Sequence, residues 1–131
     1  GGQKQRLAIA GVLAIKPRVM VLDESTSMLD PDGRAEVTEV VKRLNRDEKM
    51  SVVMITHFME EAMLADRIVV MDNGKIAMQG GREIFEREDE LKALGLTVPT
   101  ATRIAHALQK RGVPIDGGVT TAEELAENLC R

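Results

Sequence analysis

The chain has 131 residues, of which 44% are hydrophobic and 30% are charged, and its formal net charge is −3. This length and composition are typical of one soluble globular domain, and no apolar run is long enough for a transmembrane helix. Cys130, the single cysteine, excludes an internal disulfide, while the acidic net charge and the two aromatic residues argue against nucleic acid as the main partner.

The first half of the chain alternates helical and strand patterns. The short apolar runs at residues 19–22 and 51–55 are rich in β-branched side chains, which is typical of strands buried on both faces of a parallel sheet. Three helices are predicted. The first ends near Ile15, because a proline follows two residues later, the second begins after the turn at residues 30–33, and the third covers residues 58–65. This order predicts an α/β fold with a parallel sheet and flanking helices.

The second half begins with a hairpin pattern and continues with helices only. Two short strands, residues 67–71 and 75–78, flank the turn Asp72-Asn73-Gly74. Helices are predicted at residues 82–88, 100–110 and 121–129. The last has capping-box spacing, from either Thr120 with Glu123 or Thr121 with Glu124.

The change of pattern divides the chain into residues 1–80, with the sheet and hairpin, and residues 81–131, a small helical extension. Apolar residues recur at helical spacing in the last two helices of that extension. They could pack against the core or against the same tail of a partner subunit.

Both predicted parallel strands end in polar side chains, Asp23-Glu24 on one and Thr56-His57 on the other. Ligands of open α/β sheets bind beyond the carboxyl ends of the strands, so these groups should share one crevice. Asp23 could ligate Mg²⁺, Glu24 could accept a proton from an attacking water, and His57 could contact a phosphate or orient that water. The alternative is that these residues have structural roles only: Asp23-Glu24 follow the end of one strand, and His57 caps the other.

Four short stretches, taken in order, resemble the motifs of ABC-type ATPases. Residues 1–6, Gly-Gly-Gln-Lys-Gln-Arg, resemble the signature motif without its leading Leu-Ser, and residues 19–24 resemble the Walker B strand with its glutamate. Residues 27–30 resemble the D-loop, and His57 stands where the switch histidine is expected. Residues 26–31, 55–57 and 94–99 are similar, more narrowly, to one of the paired ATPase subunits of energy-coupling factor transporters.

This resemblance implies the C-terminal part of a P-loop ABC-type nucleotide-binding domain that hydrolyses ATP with Mg²⁺. It implies a second ATPase subunit, identical or paralogous, and integral membrane subunits that import a vitamin or, in related systems, cobalt or nickel. The protein would then act at the cytoplasmic face of the cell membrane. The implied residues are Glu24 and His57 for catalysis, Asp23 for the metal, and Gly1, Gly2, Gln3, Ser27 and Asp30 for the nucleotide and the dimer interface.

Three alternatives stay open. Gly1-Gly2 could be the remnant of a cleaved tag. The chain could come from a non-transport ABC ATPase that serves DNA repair or translation, although it shows no basic clusters or long insertions. It could also be a non-hydrolysing partner subunit, which the presence of both Glu24 and His57 disfavours.

A phosphate-binding loop of the form G-x-x-x-x-G-K-[ST] does not occur in these 131 residues. We therefore expect a C-terminal fragment whose sheet lacks neighbouring strands and exposes apolar faces and unpaired edges.

The chain alone is predicted neither to bind ATP tightly nor to hydrolyse it, because the cradle for the α- and β-phosphates and its lysine are absent from it. Phosphate release by the purified chain measures this. Turnover that Glu24→Gln abolishes would contradict the prediction.

Overall fold

The structure, a computed structural model, describes residues 2–130, without the side chains of residues 5 and 6. The predicted signature residue Gly1 lies outside the described residues. The chain forms two compact units, Gly1–His57 and Phe58–Arg131. The predicted division into residues 1–80 and a helical extension at residues 81–131 stays a prediction. Within residues 2–130, no helix combines the length and hydropathy needed to cross a membrane.

The first unit contains two helices and two parallel strands. Its elements are α1 (Gly2–Ala14), β1 (Val19–Asp23), α2 (Pro31–Glu48) and β2 (Ser51–Ile55). The strands pair in parallel, with Val19 opposite Ser51 and Asp23 opposite Ile55. The predicted α/β pattern is confirmed, and α1 ends where the following proline predicted.

Helix α2 begins at the predicted turn. Asp30 is its N-cap residue, with its carboxylate Oδ1 accepting a hydrogen bond from the Gly33 N–H at 3.0 Å. Pro31 follows as the first helical residue, where its missing N–H leaves no bond unmade. The helix ends at Glu48, and its C-cap residue Lys49 has a left-handed backbone with φ of 55°. Local capping therefore fixes both ends of α2.

The core of the first unit lies on one face of the sheet. Its buried side chains are Ile9, Met20, Leu22, Leu29, Val37, Val41 and Met50.

The opposite face, formed by Val19, Val21, Val53 and Ile55, is between 50% and 62% exposed and is called here the open sheet face. The prediction that both strands are buried on both faces is wrong, because α1 and α2 contribute their apolar residues to a single side. The expectation of an exposed apolar face is confirmed.

The second unit contains a hairpin and short helices. Its elements are α3 (Met59–Ala62), β3 (Ile68–Asp72), β4 (Lys75–Gly80), a 3₁₀ helix (Arg82–Glu86), α4 (Glu88–Ala93), α5 (Thr100–Gln109) and α6 (Ala122–Leu129). Strands β3 and β4 are antiparallel. Asn73 and Gly74 have φ of 47° and 74°, as a two-residue type I′ turn requires, so the predicted hairpin is confirmed.

The segment predicted as one helix at residues 82–88 is a 3₁₀ helix followed by α4. Arg87 separates them because its ψ of 49° is not helical. Helix α4 was not predicted. Its Leu91 belongs to the apolar core of the second unit. There it is buried with Ile84 and Phe85 against the hairpin residues Val70 and Met78.

Helices α5 and α6 pack on each other rather than extending the hairpin core. Ala101, Ala105, Val119 and Leu125 form their shared apolar cluster. Of the two capping boxes that the sequence allowed, the structure contains that of Thr121 with Glu124. Ile104 and Leu129 stay 43% and 51% exposed, so the apolar pattern of these helices is only partly buried.

A buried carboxylate links α4 to α5. Glu88 accepts from the Lys92 ammonium at 2.7 Å and contacts His106 Nδ1 at 2.7 Å. These two partners, Lys92 first, lower the pKa of the Glu88 carboxyl from its usual 4.5 to about 2. A carboxyl with a lowered folded-state pKa stabilises the fold above its unfolded pKa and loses that contribution as the pH falls towards the folded value.

Glu88→Gln is predicted to lower the free energy of unfolding at pH 7 by on the order of 2 kcal/mol, since a charge-assisted bond is lost. The difference from wild type should shrink as the pH falls from about 5 towards 2. Urea unfolding across that range measures it, with the exposed Glu127→Gln as the matched control. A constant difference at every pH would contradict the assignment.

Candidate active site

The carboxyl ends of β1 and β2 bring Glu24 and His57 together. The Glu24 N–H donates to the Ile55 carbonyl oxygen at 2.9 Å, which extends the strand pairing by one residue. Glu24 Oε1 then lies 3.4 Å from His57 Nδ1. The two side chains are 56% and 57% exposed, so a ligand can reach both. The predicted proximity is confirmed, and the catalytic roles stay predictions.

Glu24 has a strained backbone. Its φ is 43°, in the left-handed region, which costs a residue with a side chain about 1–2 kcal/mol. Its carbonyl oxygen accepts two hydrogen bonds from Ser27, one from the N–H at 3.1 Å and one from the hydroxyl at 2.8 Å. The chain therefore turns sharply where β1 ends. Strain held in this way is typical of functional positions.

Asp23 is the last residue of β1 and is exposed, on the strand side opposite the buried Met20 and Leu22. Among the described side chains, none forms a hydrogen bond or ion pair with its carboxylate. Mg²⁺ commonly takes one or two carboxylates and completes its shell with substrate phosphates and water. Asp23 fits such a ligand. The described residues contain no cluster of three or more His, Cys, Asp or Glu side chains placed to hold a metal alone.

The remaining predicted binding residues lie in two places. Gly2 begins α1, and Gln3 follows it with an exposed side chain. No hydrogen bond or ion pair among the described residues joins Gln3 to the Glu24–His57 pair. Ser27 and Asp30 lie in the connection from β1 to α2, where each forms a local hydrogen bond, to Glu24 and Gly33 respectively. Their nucleotide contacts stay predictions.

Three residues that build this site were not predicted as site residues, although they lie in stretches that carry the family resemblance. Ile55 supplies the carbonyl that fixes the Glu24 N–H. Thr26 and Leu29 are 2% and 6% exposed and anchor the turn after β1, with the Leu29 N–H donating to the Thr26 carbonyl at 3.0 Å. The signal for Leu29 was its apolar side chain directly before the polar turn that begins at Asp30. Nothing in the sequence indicates which carbonyl Glu24 contacts.

This arrangement can accept and direct a proton. An exposed carboxylate within reach of a bound water can act as a general base, and an adjacent imidazole can orient that water or donate to an anion. The separation of 3.4 Å is long for a hydrogen bond, which is common where no substrate is bound.

The chain is similar to energy-coupling factor transporter ATP-binding proteins. It is 52% identical over 132 aligned residues to the protein called EcfA1 of Caldanaerobacter subterraneus subsp. tengcongensis, an alignment that covers 100% of this chain and 48% of that protein. The chain thus spans about half the length of the curated relatives it matches. No protein-family model matches the chain.

Solved structures of ABC cassettes share the fold. CbiO1 from Clostridium perfringens, described as part of the ABC transporter complex CbiONQ, has a TM-score of 0.60 and 29% identity over 85% of this chain and 41% of that one. The ATP-binding cassette MJ0796, dimeric and bound to ADP and Pi, has a TM-score of 0.59 and 31% identity over 61% of this chain and 34% of that one.

Glu24→Gly is predicted to unfold at a higher urea concentration than Glu24→Ala, by about 1 kcal/mol of free energy, because only glycine adopts a positive φ without strain. Both variants lack the carboxylate, so the loss of the His57 contact cancels. Equal stabilities for the two variants would contradict the left-handed assignment.

Proposed function

Since this chain is related over its whole length to energy-coupling factor transporter ATP-binding proteins, we propose that the whole protein is the ATPase subunit of such a transporter. The observation that carries the proposal is the pairing of Glu24 with His57 at the carboxyl edge of a parallel sheet. Nucleotide-binding α/β proteins use this edge.

Glu24 acts as the general base in the proposed reaction. Its carboxylate accepts the proton as the water oxygen forms a bond to the γ-phosphorus of ATP and the bond from that phosphorus to the bridging oxygen breaks. The products are ADP and inorganic phosphate. His57, within 3.4 Å of the carboxylate, orients the water or donates to the terminal phosphate.

Asp23 holds Mg²⁺ on this proposal, and the ion supplies positive charge that neutralises the phosphate oxygens. The exposure of Asp23 and its lack of a partner among the described side chains support this role. Gly1, Gly2 and Gln3 face the nucleotide of a second ATPase subunit, where a helix N-terminus suits an anion. Ser27 and Asp30 lie along the interface between the two subunits.

The whole protein acts with integral membrane subunits at the cytoplasmic face of the cell membrane and drives uptake of a vitamin or a metal ion. Support comes from CbiO1, whose description places it in an ABC transporter complex. The name of the curated relatives supports the energy-coupling factor type.

Glu24→Gln in the whole protein is predicted to lower ATP hydrolysis by about 10²-fold or more, because a general base contributes about 10²- to 10⁴-fold. Vesicles that contain the protein and its membrane subunits should then fail to accumulate solute on addition of ATP. Phosphate release and solute uptake, measured on the same vesicles, test the prediction.

Glu39→Gln is the matched control, since Glu39 is an exposed carboxylate on α2 away from the strand ends. It should retain wild-type hydrolysis and uptake. Hydrolysis that survives Glu24→Gln at the wild-type rate would refute the role of Glu24. Hydrolysis without ATP-driven uptake would refute the transport function.

A further inference from the structure

Ser27 contacts the strained peptide of Glu24 directly. Its N–H and its hydroxyl donate to the same carbonyl oxygen, at 3.1 Å and 2.8 Å. That oxygen belongs to the residue with a φ of 43°. Any residue except proline at position 27 would supply the N–H, but only a side chain with a donor supplies the second bond.

The Glu24 backbone is fixed on both sides. Its N–H is bound to Ile55 at 2.9 Å and its carbonyl oxygen to Ser27. Holding both groups fixes the backbone dihedrals of Glu24 and with them the direction of its Cα–Cβ bond. With the Cα–Cβ bond in this direction, the Glu24 carboxylate lies 3.4 Å from the His57 imidazole.

We propose that Ser27 is a positioning residue for ATP hydrolysis, whose hydroxyl holds Glu24 in the left-handed conformation that directs its carboxylate to the site. This inference rests on the proposed function, in which Glu24 is the general base. Ser27 acts through Glu24 and does not touch the reacting atoms.

The hydrogen-bonding capacity of the hydroxyl favours this role over a direct phosphate contact. A serine hydroxyl can donate one hydrogen bond, and here the Glu24 carbonyl oxygen accepts it. Phosphate oxygens only accept hydrogen bonds at neutral pH. A hydroxyl whose proton is engaged within the turn therefore offers them nothing, so its removal should change the rate rather than the affinity for ATP.

The test uses the whole protein in its transporter complex and measures kcat and KM for ATP in Ser27→Ala, Ser27→Thr and the wild type. Ser27→Ala is expected to lower kcat roughly three- to tenfold, the loss that one hydrogen bond accounts for, with KM unchanged. Ser27→Thr keeps the hydroxyl and should restore most of the rate.

The same substitution is then made in the Glu24→Gln background, where single-turnover measurements detect the residual hydrolysis. Without the carboxylate there is no base to position, so Ser27→Ala should cause no further loss. A general loss of folded protein would lower the rate in both backgrounds and would thus count against the proposal.

Three results would overturn it: a raised KM with unchanged kcat in Ser27→Ala, a Ser27→Thr variant as slow as Ser27→Ala, or equal losses in the two backgrounds. Failure of the proposed function is recognised separately, since Glu24→Gln itself would then keep the wild-type rate. That result would remove the role of Ser27 as well.

Discussion

The parallel pairing of β1 with β2 is the constraint on which the candidate site depends. With Asp23 opposite Ile55, both strands end at one edge, and the residues that follow them meet there. Because side chains alternate along a strand, a shift of one residue would turn Met20 and Leu22 away from the helices and carry His57 away from Glu24. Burial of the core face therefore sets the register that the chemistry needs.

The strand register does not determine where the Glu24 side chain points, and the turn after β1 does. The strand pairing delivers Glu24 to the edge, while the turn of residues 24–30 directs its side chain. That turn is held by the buried Thr26 and Leu29 and ends at the Asp30 cap of α2. One short segment thus joins the strand end to a helix start and carries three of the predicted site residues, Glu24, Ser27 and Asp30.

The strands, the main helices and the hairpin could be predicted because their signals are local: apolar period, proline, and an Asn-Gly turn. Proximity of Glu24 and His57 also followed, since parallel strands share an edge. The positive φ of Glu24 could not be predicted, because glutamate rarely adopts it and one of the bonds that hold it, from the Glu24 N–H to the Ile55 carbonyl, is non-local. The prediction that β1 and β2 are buried on both faces was wrong, because an apolar run does not specify how many faces of a strand other elements cover.

The open sheet face has a practical consequence for handling this chain. Four exposed aliphatic side chains on one face of a two-stranded sheet favour hydrophobic association between copies of the chain. Salts that are excluded from the protein surface strengthen such association. In sulfate or phosphate buffers the chain will therefore self-associate at lower protein concentrations than its net charge of −3 suggests. Dilute preparations at low salt suit it better.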